Sequence, residues 1–155
     1  MEKMNKTIAI GCDPNAAALK DVLIEHIVQL GYLVEDFGSE DPIYANTAYR
    51  VATAVAEGKY DRAILLCGTG LGMCLAANKV PGAYAATCID PYSTERSIKS
   101  NNVNILTMGS QVVGPALARK IVDIWLAARY EPGGKSQVKV DRIYEIEKEF
   151  LKGNR

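Results

Sequence analysis

Five short apolar runs alternate with helical segments, and this alternation constrains the fold more than any other feature of the chain. The runs are 7–12, 32–37, 62–66, 84–88 and 103–108, most continuously apolar in Ile8-Ala9-Ile10 and Ala63-Ile64-Leu65-Leu66. Helices are expected at 16–30, 45–57, 70–78, 92–100 and 115–128, and a charged helix at 140–151 closes the chain. Gly31 and Gly58 follow the first two helices, where a terminating glycine fits, and Pro115 suits a first turn. Strands separated by helices form a parallel sheet covered on both faces. In such sheets ligands bind beyond the carboxyl ends of the strands, at a topological switch point. Asp13, Cys67, Asp90 and Gly109 stand at those ends, so the chemistry is expected there.

Nothing divides the chain. Its 155 residues show no internal repeat, low-complexity segment or linker, so one domain over 1–155 is expected, with a core about 6–130 and a tail 131–155. Lys+Arg and Asp+Glu balance at 18 each without a basic cluster, which argues against nucleic acid or an anionic membrane as partner. No apolar stretch approaches the ~18 residues of a membrane span. The start Met1-Glu2-Lys3-Met4-Asn5-Lys6 lacks a signal-peptide core, so a cytoplasmic location is expected. Cys12, Cys67, Cys74 and Cys88 lie in or beside apolar runs rather than at disulfide spacings, as small core residues in a reducing compartment do. Without a CxxC pair, and with the single His26 inside a helix, no metal ion is expected.

The run Cys67-Gly68-Thr69-Gly70-Leu71-Gly72 follows the third strand and opens a helix. Glycines there leave backbone N–H groups free to face an anion, assisted by the helix dipole. A dinucleotide loop would need a glycine where Met73 stands, and a Walker-type loop would need a terminal Gly-Lys-Ser/Thr that is absent. A thiol base beside an oxyanion loop fits, since a free thiol titrates near 8.5 and a helix N-terminus favours its thiolate. A tight strand-to-helix turn with a buried cysteine also fits. Asp13 and Asn15 could cap the next helix, Ser100-Asn101-Asn102 could be a plain turn, and Gly133-Gly134-Lys135 with Lys139 could be a solvated segment. The eight tyrosines are more often packing than binding residues.

Taken together these elements resemble the ribose-5-phosphate isomerase type B and galactose-6-phosphate isomerase family, over about residues 6–148. The carriers are Gly11-Cys12-Asp13, the Cys67–Gly72 run, Ala77-Asn78-Lys79-Val80-Pro81-Gly82, Asp90-Pro91-Tyr92-Ser93, Asn104 to Ser110, Val112-Val113-Gly114, and Tyr130-Glu131-Pro132-Gly133-Gly134. The resemblance implies a three-layer α/β/α sandwich, Rossmann-like, with a five-stranded parallel sheet. It implies a homodimer or tetramer with active sites at the subunit interface, the C-terminal helix reaching a neighbour. Members interconvert aldose and ketose phosphates without metal or organic cofactor. By carry-over, Cys67 would move the proton between the two carbons, and Thr69 with the amides of Gly68, Gly70, Leu71 and Gly72 would stabilise the cis-enediolate. Asn101 would polarise the carbonyl, Asp13 and Tyr44 would hold hydroxyls, and Lys135 and Lys139 would hold the phosphate where members use arginines.

Three departures sharpen this reading. Pro14 stands where many members have a histidine, Ser100 stands at the family's ring-opening histidine, and Gln111 replaces an arginine that some members direct at the phosphate. Neither Pro14 nor Ser100 is an acid–base group near neutral pH. A tetrose 4-phosphate needs no ring opening, because its O4 is esterified and no furanose can close. Tyr44-Ala45-Asn46 with Ser100-Asn101-Asn102 also resembles the D-erythrulose-4-phosphate isomerase branch. Other readings are a ribose-5-phosphate isomerase, a non-catalytic partner subunit of a heteromeric isomerase, and a flavodoxin-shaped nucleotide-binding module.

Overall fold

The computed structural model describes residues 6–153; Met1 to Asn5, where part of the expected absence of a leader lies, are outside the described residues. The strands are β1 Thr7–Cys12, β2 Leu33–Asp36, β3 Arg62–Cys67, β4 Ala85–Thr87 and β5 Ile105–Gly109. The helices are α1 Ala17–Gln29, α2 Tyr44–Ala56, α3 Leu71–Ala77, α4 Pro91–Lys99, α5 Pro115–Ala127 and α6 Gln137–Leu151. A single 3₁₀ turn, Pro14–Ala16, precedes α1. Among the described residues no helix is long and apolar enough to cross a membrane.

All four strand pairings are parallel, in the order β2-β1-β3-β5-β4. The chain leaves β1 for β2 on one side and returns as β3 on the other, so the switch point lies between β1 and β3. Period-two alternation divides the core between the two faces. Ile8, Ile10, Cys12, Ile64, Leu66, Leu106 and Met108 pack under α1, α4 and α5 around Trp125. Ala9, Ala63, Leu65, Cys67 and Ile105 pack under α2 and α3. The result is the expected three-layer sandwich.

Local chemistry sets the boundaries. After α1, Gly31 at φ +92° lets its own N–H reach Val28 O and the Tyr32 N–H reach Ile27 O, closing the helix as a glycine stop does. α2 begins at Tyr44, one residue earlier than expected, after Asp41 accepts the Ile43 N–H at 2.8 Å. β4 is shorter than expected because Tyr84 gives its N–H to the Asn104 side chain at 2.8 Å. α6 starts at Gln137 rather than 140: Gln137 Oε1 accepts from Tyr130 Oη and from the Gly133 N–H, tying the helix to the preceding turn.

Arg62, at the start of β3, is buried and donates to Trp125 O at 2.5 Å and Ala128 O at 2.6 Å. Burial pulls its pKa down to about 10, still a cation at neutral pH, and it satisfies the terminal carbonyls of α5. That bond also fixes direction: the C-terminus of α5 lies at the amino end of the sheet. α6 is held at the same end, where Glu147 accepts from the Gly82 N–H at 3.2 Å and from Tyr84 Oη at 2.7 Å. Its other side leaves Ile143, Ile146 and Phe150 exposed.

Candidate active site

Cys67 ends β3 and is 5% exposed, with Gly109 of β5 beside it in register. The Gly70 N–H donates to Cys67 Sγ at 3.0 Å. Gly70 adopts φ +82°, and a Cβ there would lie 2.8 Å from the Met108 carbonyl carbon, so both conformation and space require glycine. A Cβ on Gly109 would lie 2.3 Å from Thr69 Cα; its absence lets the loop fold back over the end of β5. The Leu71 N–H bonds Thr69 Oγ1 at 3.3 Å. The N–H groups of Gly68, Thr69 and Gly72 have no partner among the described residues, which leaves three donors beside the thiol.

The other carboxyl-end residues close around this loop. Asp13 is 5% exposed; its Oδ1 accepts the Asn15 N–H at 3.1 Å and its Oδ2 the Asn15 side chain at 3.3 Å. It therefore caps the 3₁₀ turn as expected, while each oxygen keeps capacity for a further hydroxyl. Tyr44 opens α2 with its ring against Gly72, where a Cβ would meet the ring at 2.5 Å. Gln111, next to the would-be Cβ of Gly68 at 3.3 Å, and Ser110, bonded to Asn15 O at 3.0 Å, complete the rim. The sequence reading weighs Asn15 only as a helix cap and Ser110 only as part of the Asn104–Ser110 stretch, and gives neither a role in the site. A cavity of about 390 Å3, lined by Asn15, Leu19, Gln111 and Val113 among others, adjoins that rim.

Ser100, Asn101, Lys135 and Lys139 are not part of this constellation. Ser100 caps the C-terminus of α4, and Asn101 follows it, four residues before β5 begins at Ile105. They therefore lie at the amino end of the sheet. Cys67 lies at the carboxyl end, with all of β5, about 13 Å of strand, between the two levels. Lys135 lies in the turn after α5 and Lys139 in the first turn of α6, both exposed. These four candidates therefore lie away from the carboxyl ends at which the chemistry was expected. Helices of a parallel sheet run back against the strands, so an α4 terminus must come out at the opposite end.

Lys135 lines a cavity of about 550 Å3 with Arg96, Lys99, Arg129, Glu131, Gly134 and Ser136. Sequence reading missed Arg96, Lys99 and Arg129. Arg96 and Lys99 share a helix face at i,i+3, but Arg129 joins them only through the packing of α4 on α5. His26 is not part of the Cys67 site: it lies in the last turn of α1, and its Nε2 contacts Asp123 Oδ1 at 2.5 Å between α1 and α5. No imidazole within the chain reaches Cys67. Asp90 holds the N-terminus of α4, accepting the Ser93 N–H at 2.7 Å. Cys12 and Cys88 are buried free thiols, burial pushing Cys12 up to about 11, and Cys74 is half-buried. Among the described residues no three His, Cys, Asp or Glu side chains are grouped as a metal site needs.

Comparison with known proteins gives a consistent result. The family model described as Ribose/Galactose Isomerase matches residues 8–143. A D-erythrulose-4-phosphate isomerase of Pectobacterium atrosepticum is 47% identical over 141 residues, covering 88% of this chain and 92% of that protein. The ribose-5-phosphate isomerase B of Escherichia coli is 47% identical over 145 residues, covering 92% and 97%. The structure of Clostridium thermocellum ribose-5-phosphate isomerase B superposes with a TM-score of 0.87 at 43% identity, covering 93% of this chain and 99% of that one.

Proposed function

The chain belongs to the ribose/galactose isomerase family and is an aldose–ketose isomerase of sugar phosphates; on that premise we propose that its substrate pair is D-erythrulose 4-phosphate and D-erythrose 4-phosphate. The observation that carries this choice is the missing imidazole. Ser100 occupies the ring-opening position, and the single His26 is engaged with Asp123 away from the Cys67 loop. A pentose 5-phosphate closes into a furanose through its free O4 and benefits from an acid–base group that opens it. A tetrose 4-phosphate cannot close and asks only for proton transfer.

In this reading Cys67, as thiolate, takes a proton from C1 of the ketose. The electron pair moves into the C1–C2 double bond, and the charge on the former carbonyl oxygen is met by the N–H groups of Gly68, Thr69 and Gly72. Cys67 returns the proton to C2 as a proton passes from O1 to O2, giving the aldose. Gly70 keeps the sulfur aimed at the substrate through its 3.0 Å bond. Asp13 and Tyr44 hold hydroxyls, and their capacity to do so is supported by their place on the loop's rim.

Asn101, Ser100, Lys135 and Lys139 act on the site of a second copy. The separation of the two groups of residues within one chain supports a homodimer, or a tetramer of dimers, in which each carboxyl-end half meets a partner's amino-end half. Exposed Leu71 and Leu75 on α3 and exposed Ile143 and Phe150 on α6 give such a contact apolar surface on both halves.

The deciding measurement is kcat/KM on D-erythrose 4-phosphate and D-ribose 5-phosphate side by side, because only in the aldose direction does one of the two substrates arrive as a closed ring. The expected result is a preference of at least about tenfold for the tetrose, an activation difference of about 1.4 kcal/mol. A preference for the pentose assigns ribose-5-phosphate isomerisation instead, the activity carried by the name of the Escherichia coli relative. Loss of all turnover in Cys67→Ala, with folding intact, separates either reading from a non-catalytic subunit.

A further inference from the structure

Arg96, Lys99, Arg129 and Lys135 converge on one cavity of about 550 Å3 at the amino end of the sheet, and only one carboxylate, Glu131, lines it with them. Three separate segments bring them together: the last turns of α4, the C-terminus of α5 and the turn before α6. Arg96 is half-buried, and its guanidinium has no hydrogen-bond or ion-pair partner among the described residues. Arg129 Nη1 donates to Leu126 O at 2.5 Å and Ala128 O at 2.8 Å, which fixes the guanidinium plane and leaves its remaining nitrogens open. Lys99 reaches only Glu95, at 3.5 Å, and no ion pair joins Glu131 to any of the four among the described residues.

Four cations held together around a cavity repel one another unless an anion sits among them. Two guanidinium forks from different segments suit an anion that offers more than one pair of oxygens, as tetrahedral phosphate does. No aromatic side chain lines the cavity, so a nucleoside base has nothing to stack on. We infer that this cavity is a phosphate-monoester site, with Arg96 and Arg129 as ligands beyond the lysines. It rests on the proposed function in one respect: Lys135, assigned there to the substrate's phosphate, lines this cavity, whereas Lys139 does not.

The test titrates the full-length protein with inorganic phosphate at low ionic strength, comparing wild type, Arg96→Gln and Lys135→Gln, with KM for the sugar phosphate measured on each. Arg96 projects from a helix surface, and circular dichroism checks that its variant folds. The expected result is phosphate affinity about tenfold weaker in Arg96→Gln, the loss of one charge-assisted contact. A parallel rise of KM in both variants identifies the anion as the substrate's own phosphate. Weaker phosphate binding with KM unchanged identifies a separate monoester, and the site stands. A KM raised by Lys135→Gln with nothing altered by Arg96→Gln overturns the inference while leaving the proposed function intact. No change of either quantity in either variant overturns both this site and the lysine assignment.

Discussion

Cys67 and Asn101 stand at opposite ends of the same sheet, separated by the length of β5. One chain cannot bring them to one substrate. If both serve the reaction, Cys67→Ala and Asn101→Ala must complement each other across a subunit boundary. Each variant alone should be impaired, Cys67→Ala completely. Co-expressed, half the dimers are mixed, and each mixed dimer has one site with neither substitution, so about a quarter of wild-type sites return. Activity that stays at the level of the separate variants, in material shown by mass to contain mixed dimers, rejects the shared site.

The Tyr44 ring occupies the space a side chain at Gly72 would need, 2.5 Å from an added Cβ. Gly72→Ala therefore displaces the ring or the glycine loop. The expected cost is about 1–3 kcal/mol, the range of overpacking substitutions, or roughly 3–9 °C in Tm for a chain of this size. Turnover should fall as well, since Gly72 supplies one of the three free donors. Tyr44→Ala in the same chain removes the clash, so the double variant should recover most of the stability lost to Gly72→Ala but not the activity. Additive losses of stability in the double-mutant cycle would show that the two residues are not in contact.

Much of this arrangement was legible locally. The apolar runs of β1 and β3, the glycine stops after α1 and α2, and the Cys67 loop are encoded within a few residues of where they act. Which end of the sheet a helix terminus reaches is a property of topology, so the separation of Asn101 and Lys135 from Cys67 has no local signature. The Arg96–Arg129 cavity was hidden for the same reason: its cations are dispersed along the chain until α4 packs on α5. The start of α6 was misplaced because its support comes from Tyr130 Oη and the Gly133 N–H, bonds to one glutamine side chain that no periodicity registers.

Tyr84 anchors α6 through its 2.7 Å bond to Glu147 Oε2. Burial, together with the neighbouring carboxylate, raises the pKa of the phenol above its ordinary 10. A raised acid favours its neutral form in the folded state. The stabilising contribution is therefore fully present below about pH 10 and is lost as pH climbs from there through the folded value. Tyr84→Phe should cost about 1 kcal/mol at neutral pH. The gap to wild type in urea unfolding should stay constant up to about pH 10 and narrow above it. A gap that holds unchanged well above pH 10 would mean the bond does not depend on the phenol's proton.

Under the proposed function, Ser100 at the C-terminus of α4 is where an imidazole would stand to open a sugar ring in a neighbouring site. Ser100→His places one there without disturbing the α4 backbone, because the residue is a half-buried helix cap in ordinary helical conformation. The substitution should raise kcat/KM for the pentose 5-phosphate about tenfold or more, a fraction of what a well-placed general acid–base contributes. Activity on the tetrose 4-phosphate should change little, since no ring closes there. The ratio between the two substrates is the quantity to measure, because altered protein stability or expression cancels in it. Its pH profile should also acquire a limb near pH 6.5, absent from wild type, from the new imidazole. An unchanged ratio would mean that position 100 does not govern ring opening in this chain, and the four-carbon assignment would lose its main physical support.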